Sequence, residues 1–522
     1  MRLTTVGFLA AIGMTLTSTT VWSMTKPEST AQTQTSSTDG KAPVLGLFGK
    51  SDSKKKPKKK LGPDVQEPPV VDKSTFVAGK TLMVEGRLGN GQMLADARGE
   101  TFLFVDVRAD PSSLPPDSIG AQPFNLALVI DQSGSMKGQR QRNAQQAAAG
   151  MIQRLRDGDT VSVVTYADQA QTLVPVTTIN ASSRARILAD LQVDLADRPA
   201  GHTCISCGID LGLQTLQNRR VGVDRMILLS DGEANRGTTD EQGIRVLARR
   251  ARTRGVTVSS IGVDIDYNER LMSAIAREAN GHHYFSETGT NLEEIFDQEL
   301  ENLLDAVAKE GELTVELAPG VRVAEVFDRS YQQVDRRVIV PMGTFSAGED
   351  KTFLMRLEVP PSPAGERPVA SVSLRYEDLT GTGEPGECFG ELAATMTASP
   401  GEVGPLDAIV LSRLTRSETT KALEQSNELF AQGRTSEAQK LVDETLALLR
   451  KNQAEVAATA AEPGFFDPFS RDFDDDFAAQ AGALDNAASG FEAAAAEPAP
   501  TTSRKAKLQI RSNAEQADAF AL

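Results

Sequence analysis

Short apolar runs alternate with amphipathic stretches between Phe124 and about Ala308. The runs include FNLALVID, TVSVVTYA, RMILLSD and VTVSSIGVD, and the first amphipathic stretch carries Ala147, Ile152 and Leu155 on one side. Continuous apolar strands separated by helices are typical of a mostly parallel sheet that helices cover on both faces. The pattern predicts a doubly wound α/β domain over residues 123–308.

On both sides of this domain the hydrophobic period changes to two. KTLMVEGRL and GETFLFVDVRA precede the domain, and GELTVELAPGVRVAEVFD and KTFLMRLEVP follow it. Such alternation predicts antiparallel strands with one buried face. We expect a β-sandwich over residues 311–400 that a β segment at 76–122 joins, so that the α/β domain is inserted between the two segments.

The C-terminal part of the chain changes to a helical pattern and then to biased composition. Residues 405–451 predict a helical hairpin in which Gly433 ends the first helix and Thr435 begins the second. Residues 452–522 are rich in Ala, Glu and Pro and are expected to be a disordered acidic tail. The stretch GFFDPFSRDFDDDF within it is either a docking segment that folds on binding or part of that tail.

The N-terminus is typical of an export signal. Arg2 supplies a positive start, Val6 to Leu16 a mostly apolar core, and Val21 and Ser23 the small residues before a cut at Met24. We expect residues 1–23 to be a signal peptide and the protein to be exported to the periplasm, the cell envelope or the medium. An uncleaved membrane anchor is the alternative.

Residues 24–75 are expected to be a disordered basic linker. The Lys54–Lys60 run within it is either solvated or a peripheral contact with an anionic surface such as lipid headgroups. The 522 residues carry a formal net charge of −16. This acidic balance argues against nucleic acid as a partner, because phosphate binding needs a basic face.

Polar side chains cluster where the predicted parallel strands end. Asp131, Ser133 and Ser135 follow the first strand, Asp231 follows another, and Thr203 lies in a loop that opens a helix. Ligands of doubly wound sheets bind at the carboxyl ends of the strands. All the side chains named offer hard oxygen atoms, which suit Mg²⁺, Mn²⁺ or Ca²⁺ better than Zn²⁺.

A nucleophilic serine, a phosphate loop and a purely structural role are three other interpretations of this cluster. A nucleophilic serine needs a base, but the three histidines are distant in sequence and no G-x-S-x-G motif surrounds Ser133 or Ser135. A phosphate loop would need the G-x-x-x-x-G-K-[ST] spacing, which DQSGSMKG lacks. The third interpretation, that these side chains only cap loops and make turn hydrogen bonds, stays open.

A metal held by this set would capture an acidic group. Three of the five ligands are neutral hydroxyls, so the protein balances only part of the ion's charge and leaves coordination positions to water. A carboxylate from a partner can replace one water and supply the missing charge. The set provides neither a general base nor a histidine-held nucleophile, so it predicts binding and not catalysis.

The segments VIDQSGSM, AGHTCIS and LLSDGEANRG together resemble the von Willebrand factor type A domain. The resemblance covers about 185 residues. It implies a metal-ion-dependent adhesion site whose five positions are filled here by Asp131, Ser133, Ser135, Thr203 and Asp231. The flanking β units and C-terminal helices also resemble exported bacterial proteins labelled calcium-activated-chloride-channel-like, and the inter-alpha-trypsin-inhibitor heavy chains.

Cys204 and Cys207, directly after Thr203, depart from the usual pattern of this family. A local disulfide that stiffens the Thr203 loop, a redox-active pair, and two small buried residues of which one could bond Cys388 all remain open. A zinc site is not expected, because four clustered soft ligands are absent from the sequence.

The sequence as a whole predicts an exported, non-enzymatic interaction or adhesion protein. In this hypothesis a divalent cation, Mg²⁺ or alternatively Mn²⁺ or Ca²⁺, binds an acidic side chain of a protein partner. Two alternatives belong to other classes. One is a structural envelope scaffold in which the metal only stabilises the fold, and the other is an enzyme, a hydrolase or a thiol redox protein using Cys204 and Cys207.

Overall fold

A computed structural model describes residues 73–113, 123–194, 201–217, 222–380, 385–462 and 465–521. The predicted signal peptide, the Lys54–Lys60 run and almost all of the predicted basic linker lie outside the described residues. Within the described part of the chain, no helix is both long enough and apolar enough to cross a membrane.

The predicted α/β domain is confirmed and contains a six-stranded sheet. The strands are β5 (Asn125–Asp131), β6 (Thr160–Tyr166), β7 (Ala170–Thr178), β8 (Asp224–Ser230), β9 (Val256–Val263) and β10 (Asn280–Ser286), and their order in the sheet is β10-β9-β8-β5-β6-β7. Edge strand β7 is antiparallel to β6, and the other neighbours are parallel.

Helices cover both faces of this sheet, which explains why every residue of β5 and β6 is buried. The helices are α1 (Gln139–Arg154), α2 (Ala181–Asp194), α3 (Ile205–Thr215), α4 (Glu241–Thr253), α5 (Glu269–Glu278) and α6 (Leu292–Leu304). One apolar core joins the sheet to α1, α2 and α6, and a second core joins it to α3, α4 and α5. The continuous apolar runs of the sequence therefore correspond to strands buried on both sides.

The β segments before and after the α/β domain form one sandwich of two sheets. The five-stranded sheet contains β1 (Thr75–Gly79), β2 (Leu82–Leu88), β4 (Gly99–Ala109), β15 (Asp350–Val359) and β12 (Arg322–Phe327), in that order. The six-stranded sheet contains β13 (Gln332–Val334), β14 (Arg337–Ser346), β11 (Ala306–Leu317), β16 (Gly365–Asp378), β17 (Pro385–Thr397) and β3 (Gln92–Leu94).

Pairing of β4 with β15 joins the two β segments. The register runs from Gly99 opposite Val359 to Arg108 opposite Asp350. One core then packs Leu103 and Val105 with side chains of the later sheet such as Phe345. The chain therefore enters the sandwich, leaves it to form the α/β domain, and returns to it.

Four helices make up most of the described C-terminal part. The helices are α7 (Ala408–Ala431), α8 (Thr435–Ala460), α9 (Phe473–Ala495) and α10 (Arg504–Ala521), and they share one apolar core. The Phe430 and Phe491 rings stack in this core with centroids 4.6 Å apart. The hairpin predicted over 405–451 is thus half of a four-helix unit, and its second helix continues to Ala460.

The prediction of a disordered tail over residues 452–522 is wrong for the residues that the structure describes. Phe477, Leu484 and Phe491 repeat every seven residues, and Gln480, Ala487 and Ala494 fill the alternate positions of the same buried stripe. This is the seam spacing of packed helices. Small alanines along the seam let α9 approach its neighbours closely, so a composition that suggested disorder in fact supplies a packing surface.

The Phe-rich stretch docks on its own chain. Arg471 places one guanidinium nitrogen 2.6 Å from Glu85 and 2.6 Å from Asp106, which are buried on β2 and β4. The Phe466 carbonyl accepts a hydrogen bond of 2.9 Å from Arg87. The docking segment predicted as one alternative therefore has an intramolecular partner, the outer face of the five-stranded sheet.

Candidate metal centre

Strand register brings the two aspartates of the site together. β5 pairs in parallel with β8, with Ile130 opposite Leu229. Asp131 is the last residue of β5 and Asp231 directly follows β8, so both lie at the carboxyl ends of adjacent strands. Both carboxylates are buried, with exposed fractions of 0% and 2%. The carboxyl edge of the sheet thus holds two acidic groups in an environment that disfavours their charge.

Close packing of α3 on the sheet positions the Thr203 loop. A Cβ at Gly208 would lie 2.7 Å from the Tyr166 ring, so glycine permits this approach. The Cys204 amide donates to the Ala167 carbonyl at 2.9 Å, which ties the start of the helix to the end of β6.

The three hydroxyls and two carboxylates converge at this edge. The Ser135 hydroxyl donates to Asp231 Oδ1 at 2.7 Å and lies 3.0 Å from the Ser133 hydroxyl. A Cβ built on Gly232 would lie 3.4 Å from Thr203 Oγ1 and 3.7 Å from Ser135 Oγ, so both hydroxyls flank the residue next to Asp231. Ser135 is the solvent-exposed member of the set.

Local hydrogen bonds orient the Asp131 carboxylate. The Ser133 amide donates to Oδ1 at 2.7 Å, and the Ser230 hydroxyl donates to Oδ2 at 2.8 Å. Burial and the neighbouring charge of Asp231 together raise the Asp131 pKa to about 7, despite these hydrogen bonds. Burial also raises the pKa of Asp231, which the Ser135 hydroxyl and Arg140 oppose.

The donor set fits a hard divalent cation. It consists of oxygen atoms alone, and its two carboxylates are desolvated, so a cation between them would offset the cost of their burial. Among the described residues no group of three or more His, Cys, Asp or Glu side chains could hold a metal. A site of this composition therefore depends on its hydroxyls as much as on its carboxylates.

Four residues that contact the candidate metal centre or its loops were not predicted from the sequence. Ser230 orients Asp131, and Asn235 accepts a hydrogen bond of 2.7 Å from the Thr203 amide. Arg140 contacts Asp231 with Nη1 at 3.2 Å and also contacts Asp264. Only Ser230 had a usable signal, because it directly precedes Asp231 at the strand end.

All three histidines have partners away from Ser133 and Ser135. His202 Nδ1 lies 2.7 Å from Asp168, and His282 lies 3.4 Å from Glu299. His283 is held between Ser260 and Tyr267, and burial lowers its pKa to about 3. The arrangement offers no histidine base to either serine.

Cys204 and Cys207 form a disulfide at the start of α3, and Cys388 is a buried free thiol. A Cβ at Gly237 would lie 2.5 Å from the Cys204 sulfur, and the Thr238 amide donates to the Ser206 hydroxyl at 2.9 Å. The disulfide therefore closes a short ring at the start of α3 and packs against the loop that follows Asp231.

Comparison with protein families supports the resemblance seen in the sequence. Residues 125–298 match the model of the von Willebrand factor type A domain. This range begins at β5 and ends within α6, so it coincides with the α/β domain.

The chain spans less than half the length of two curated relatives that it matches. The uncharacterized protein YfbK of Escherichia coli is 30% identical over 243 residues, which are 45% of this chain and 41% of YfbK. Human inter-alpha-trypsin inhibitor heavy chain H4 is 24% identical over 210 residues, which are 37% of this chain and 22% of that protein. The likeness to the inhibitor heavy chains is confirmed.

A solved structure shares the wider fold. The von Willebrand factor type A protein from Catenulispora acidiphila superposes with a TM-score of 0.59 at 16% identity, covering 77% of this chain and 96% of that one. This coverage exceeds the α/β domain, so the flanking units belong to the common architecture.

Proposed function

We propose, from the premise that residues 125–298 form a von Willebrand factor type A domain, that this chain is an exported, metal-dependent protein-interaction module. Its ligand set for Mg²⁺, or alternatively Mn²⁺ or Ca²⁺, is Asp131, Ser133, Ser135, Thr203 and Asp231. The partner contributes an acidic side chain. Export rests on the signal-like residues 1–23.

The observation that carries the proposal is the convergence of two buried carboxylates with three hydroxyls at one sheet edge. The Ser133 amide and the Ser230 hydroxyl hold Asp131 in a fixed orientation before any ion arrives. Ser135 opens the set to solvent, where a partner can approach. A bound cation supplies the positive charge and the open coordination position that a partner carboxylate fills.

A binding experiment on the full chain tests this function. The wild type should capture envelope proteins in Mg²⁺ but not in EDTA, and Asp131→Ala should capture none in either condition. Calorimetry should show that the wild type binds Mn²⁺ and that Asp131→Ala does not. Asp157→Ala is the matched control, because Asp157 is an exposed aspartate that pairs with Arg184 ahead of β6. Capture that persists in EDTA would refute the mechanism.

A stabilising metal is the second candidate, favoured by the origin of the ligands in three separate loops. In that case Mg²⁺ would raise the melting temperature of the protein, and no partner would depend on the ion. In the thiol redox alternative an attacking thiolate would have to reach Cys207, which is half-buried, because Cys204 is fully buried. Activity in a thiol–disulfide exchange assay that Cys207→Ser removes would support it.

A further inference from the structure

Arg140 is a cationic side chain built into the edge of the candidate metal centre. It is the second residue of α1, and its Nη1 donates to Asp231 Oδ2 at 3.2 Å and to the Ser135 carbonyl at 3.0 Å. Its side chain is 33% exposed, while that of Asp231 is fully buried. The guanidinium thus already partners one of the two carboxylates that a divalent cation would use.

The two carboxylates of the site differ in the charge of their hydrogen-bond partners. Asp131 has hydrogen bonds from Ser133 and Ser230, which carry no charge, whereas Asp231 has both a hydroxyl and the guanidinium. The guanidinium lies 3.2 Å from Asp231 Oδ2 and offsets part of the negative charge that would attract an arriving cation. Arg140 therefore lowers the attraction of the site for a metal.

Asp264 offers the same guanidinium a second carboxylate. It follows β9 and adopts a left-handed backbone with φ of 70°, which is uncommon for residues other than glycine. One of its carboxylate oxygens accepts the Ile265 amide at 2.6 Å, and the other accepts from Arg140 Nη2. Asp264 is held by its own loop in a position where it can retain Arg140 without help from Asp231.

We infer that Arg140 competes with the divalent cation for Asp231, and that Asp264 retains Arg140 once the cation is bound. This inference rests on the proposed metal site and adds a control on its affinity. Arg140 then acts as a positioning residue that neutralises Asp231 in the metal-free protein. The metal must displace the ion pair between Arg140 and Asp231. The site is therefore occupied only at higher cation concentrations than a site without Arg140 would need.

Mn²⁺ titration of the full-length protein, followed by electron paramagnetic resonance of the free ion, tests the competition. Arg140→Gln should bind Mn²⁺ about tenfold more tightly than the wild type, the scale of one charge-assisted hydrogen bond. The control is Arg142→Gln, which makes the same change of charge two residues along α1, where Arg142 is exposed and contacts Gln139. The Mn²⁺ affinity of the control should stay within about twofold of the wild type, well short of the tenfold change expected for Arg140→Gln.

Asp264→Asn tests the retaining role and should act in the opposite direction. Asparagine tolerates the left-handed backbone at this position. Without the second carboxylate Arg140 stays on Asp231, so Mn²⁺ should bind several-fold more weakly than to the wild type. The double variant with Arg140→Gln should return to the tight binding of Arg140→Gln alone, because Asp264 acts only through Arg140.

Melting temperatures separate this role from a purely structural one. In EDTA, Arg140→Gln should melt below the wild type, because Asp231 loses its counter-charge, while its gain in melting temperature with Mn²⁺ should be larger. Equal Mn²⁺ affinity in Arg140→Gln and wild type, or equal gains in Arg140→Gln and Arg142→Gln, would overturn the competition and leave the metal site standing. Absence of Mn²⁺ binding to both wild type and Arg140→Gln would overturn the metal site itself.

Discussion

Thr203 and Cys204 are adjacent in the chain and take separate parts in one loop. Thr203 places its hydroxyl beside Gly232, and Cys204 closes the disulfide that holds the start of α3. Thr203 is a proposed metal ligand and directly precedes Cys204. The disulfide therefore restricts the position of this ligand.

Removing the disulfide should weaken metal binding. A Cys204→Ser/Cys207→Ser variant frees the Thr203 loop, so its Mn²⁺ affinity should fall several-fold and its free energy of unfolding by about 2 kcal/mol, the value for closing a loop this short. Calorimetry and urea denaturation would measure the two effects. Cys388→Ser is the control, since Cys388 is not disulfide-bonded, and equal Mn²⁺ affinity in the oxidised and reduced wild type would contradict the prediction.

Glu269 should make stability depend on pH. Burial raises its pKa to about 7 despite the opposing charge of Arg511, so between its ordinary pKa of 4.5 and about 7 the folded state binds the proton that the unfolded state has released. The free energy of unfolding should therefore fall as pH rises through this window and stay level above it.

Glu269→Gln removes this dependence. Between pH 4.5 and pH 8 the free energy of unfolding of the variant should rise relative to that of the wild type by up to about 3 kcal/mol. This is the product of the Glu269 pKa shift and about 1.36 kcal/mol per pKa unit. Urea denaturation at four pH values measures the difference. A constant difference between the two proteins across this range would show that Glu269 is ionised in the folded state throughout.

At the scale of elements, residues 465–472 join α8 and α9 to the outer face of the five-stranded sheet. Arg471 is 13% exposed and contacts Glu85 and Asp106, while the Phe469 ring lies under both Arg108 and Arg471. Arg471 supplies a positive charge to the buried carboxylates of Glu85 and Asp106. This ion pairing explains why a polar, aromatic stretch packs on the sheet.

Arg471→Met should undock this segment. The change leaves Asp106 and Glu85 with less compensation in a buried position, so the free energy of unfolding should fall by about 3–5 kcal/mol. Limited proteolysis should then cut within residues 465–472. The matched control is Arg434→Met, because Arg434 pairs with Glu437 on an exposed surface and should change little; equal behaviour of the two variants would contradict the docking.

At the scale of the whole molecule, the four helices and the α/β domain meet through α5. Arg277 of α5 donates to Glu424 of α7 at 2.8 Å and lies 2.9 Å from Asp518 of α10. The Ser273 hydroxyl is also within hydrogen-bond distance of both Asp518 oxygens. Arg511 of α10 reaches the carbonyls of Ile265 and Tyr267, directly after the loop that holds Asp264.

Arg277→Met should release α10 from the α/β domain. Asp518 and Glu424 lose their shared cation, so hydrogen exchange should accelerate over residues 504–521 while the strands of the α/β sheet keep their protection. Arg270→Met is the control on the same helix, since Arg270 pairs with Glu241 and Glu428 but is 67% exposed. Unchanged exchange in α10 with Arg277→Met would contradict the prediction and would assign the attachment of the helix to its other contacts, such as those of Arg511 with the Ile265 and Tyr267 carbonyls.

Local pattern by itself determined the elements that repeat a simple period. The apolar runs predicted the α/β sheet, the alternating runs predicted the flanking strands, and the order of Asp131, Thr203 and Asp231 predicted which loops could share a ligand. The predictions of the sheet and of the flanking strands succeed because burial on one or both faces gives the hydrophobic pattern a fixed period. The shared ligand stays a prediction, which rests on the common edge at which parallel strands end.

Only the tertiary structure decided what depends on contacts between distant residues. The alanine-rich tail becomes α9 and α10 because other helices bury its stripe, and Arg471 is ordered because β2 and β4 hold carboxylates more than 360 residues earlier. Arg140 and Asp264 join the candidate metal centre in the same way, across 124 residues. Such ion pairs cannot be predicted from a periodic pattern, because the fold brings the two charged residues together and their spacing along the chain does not.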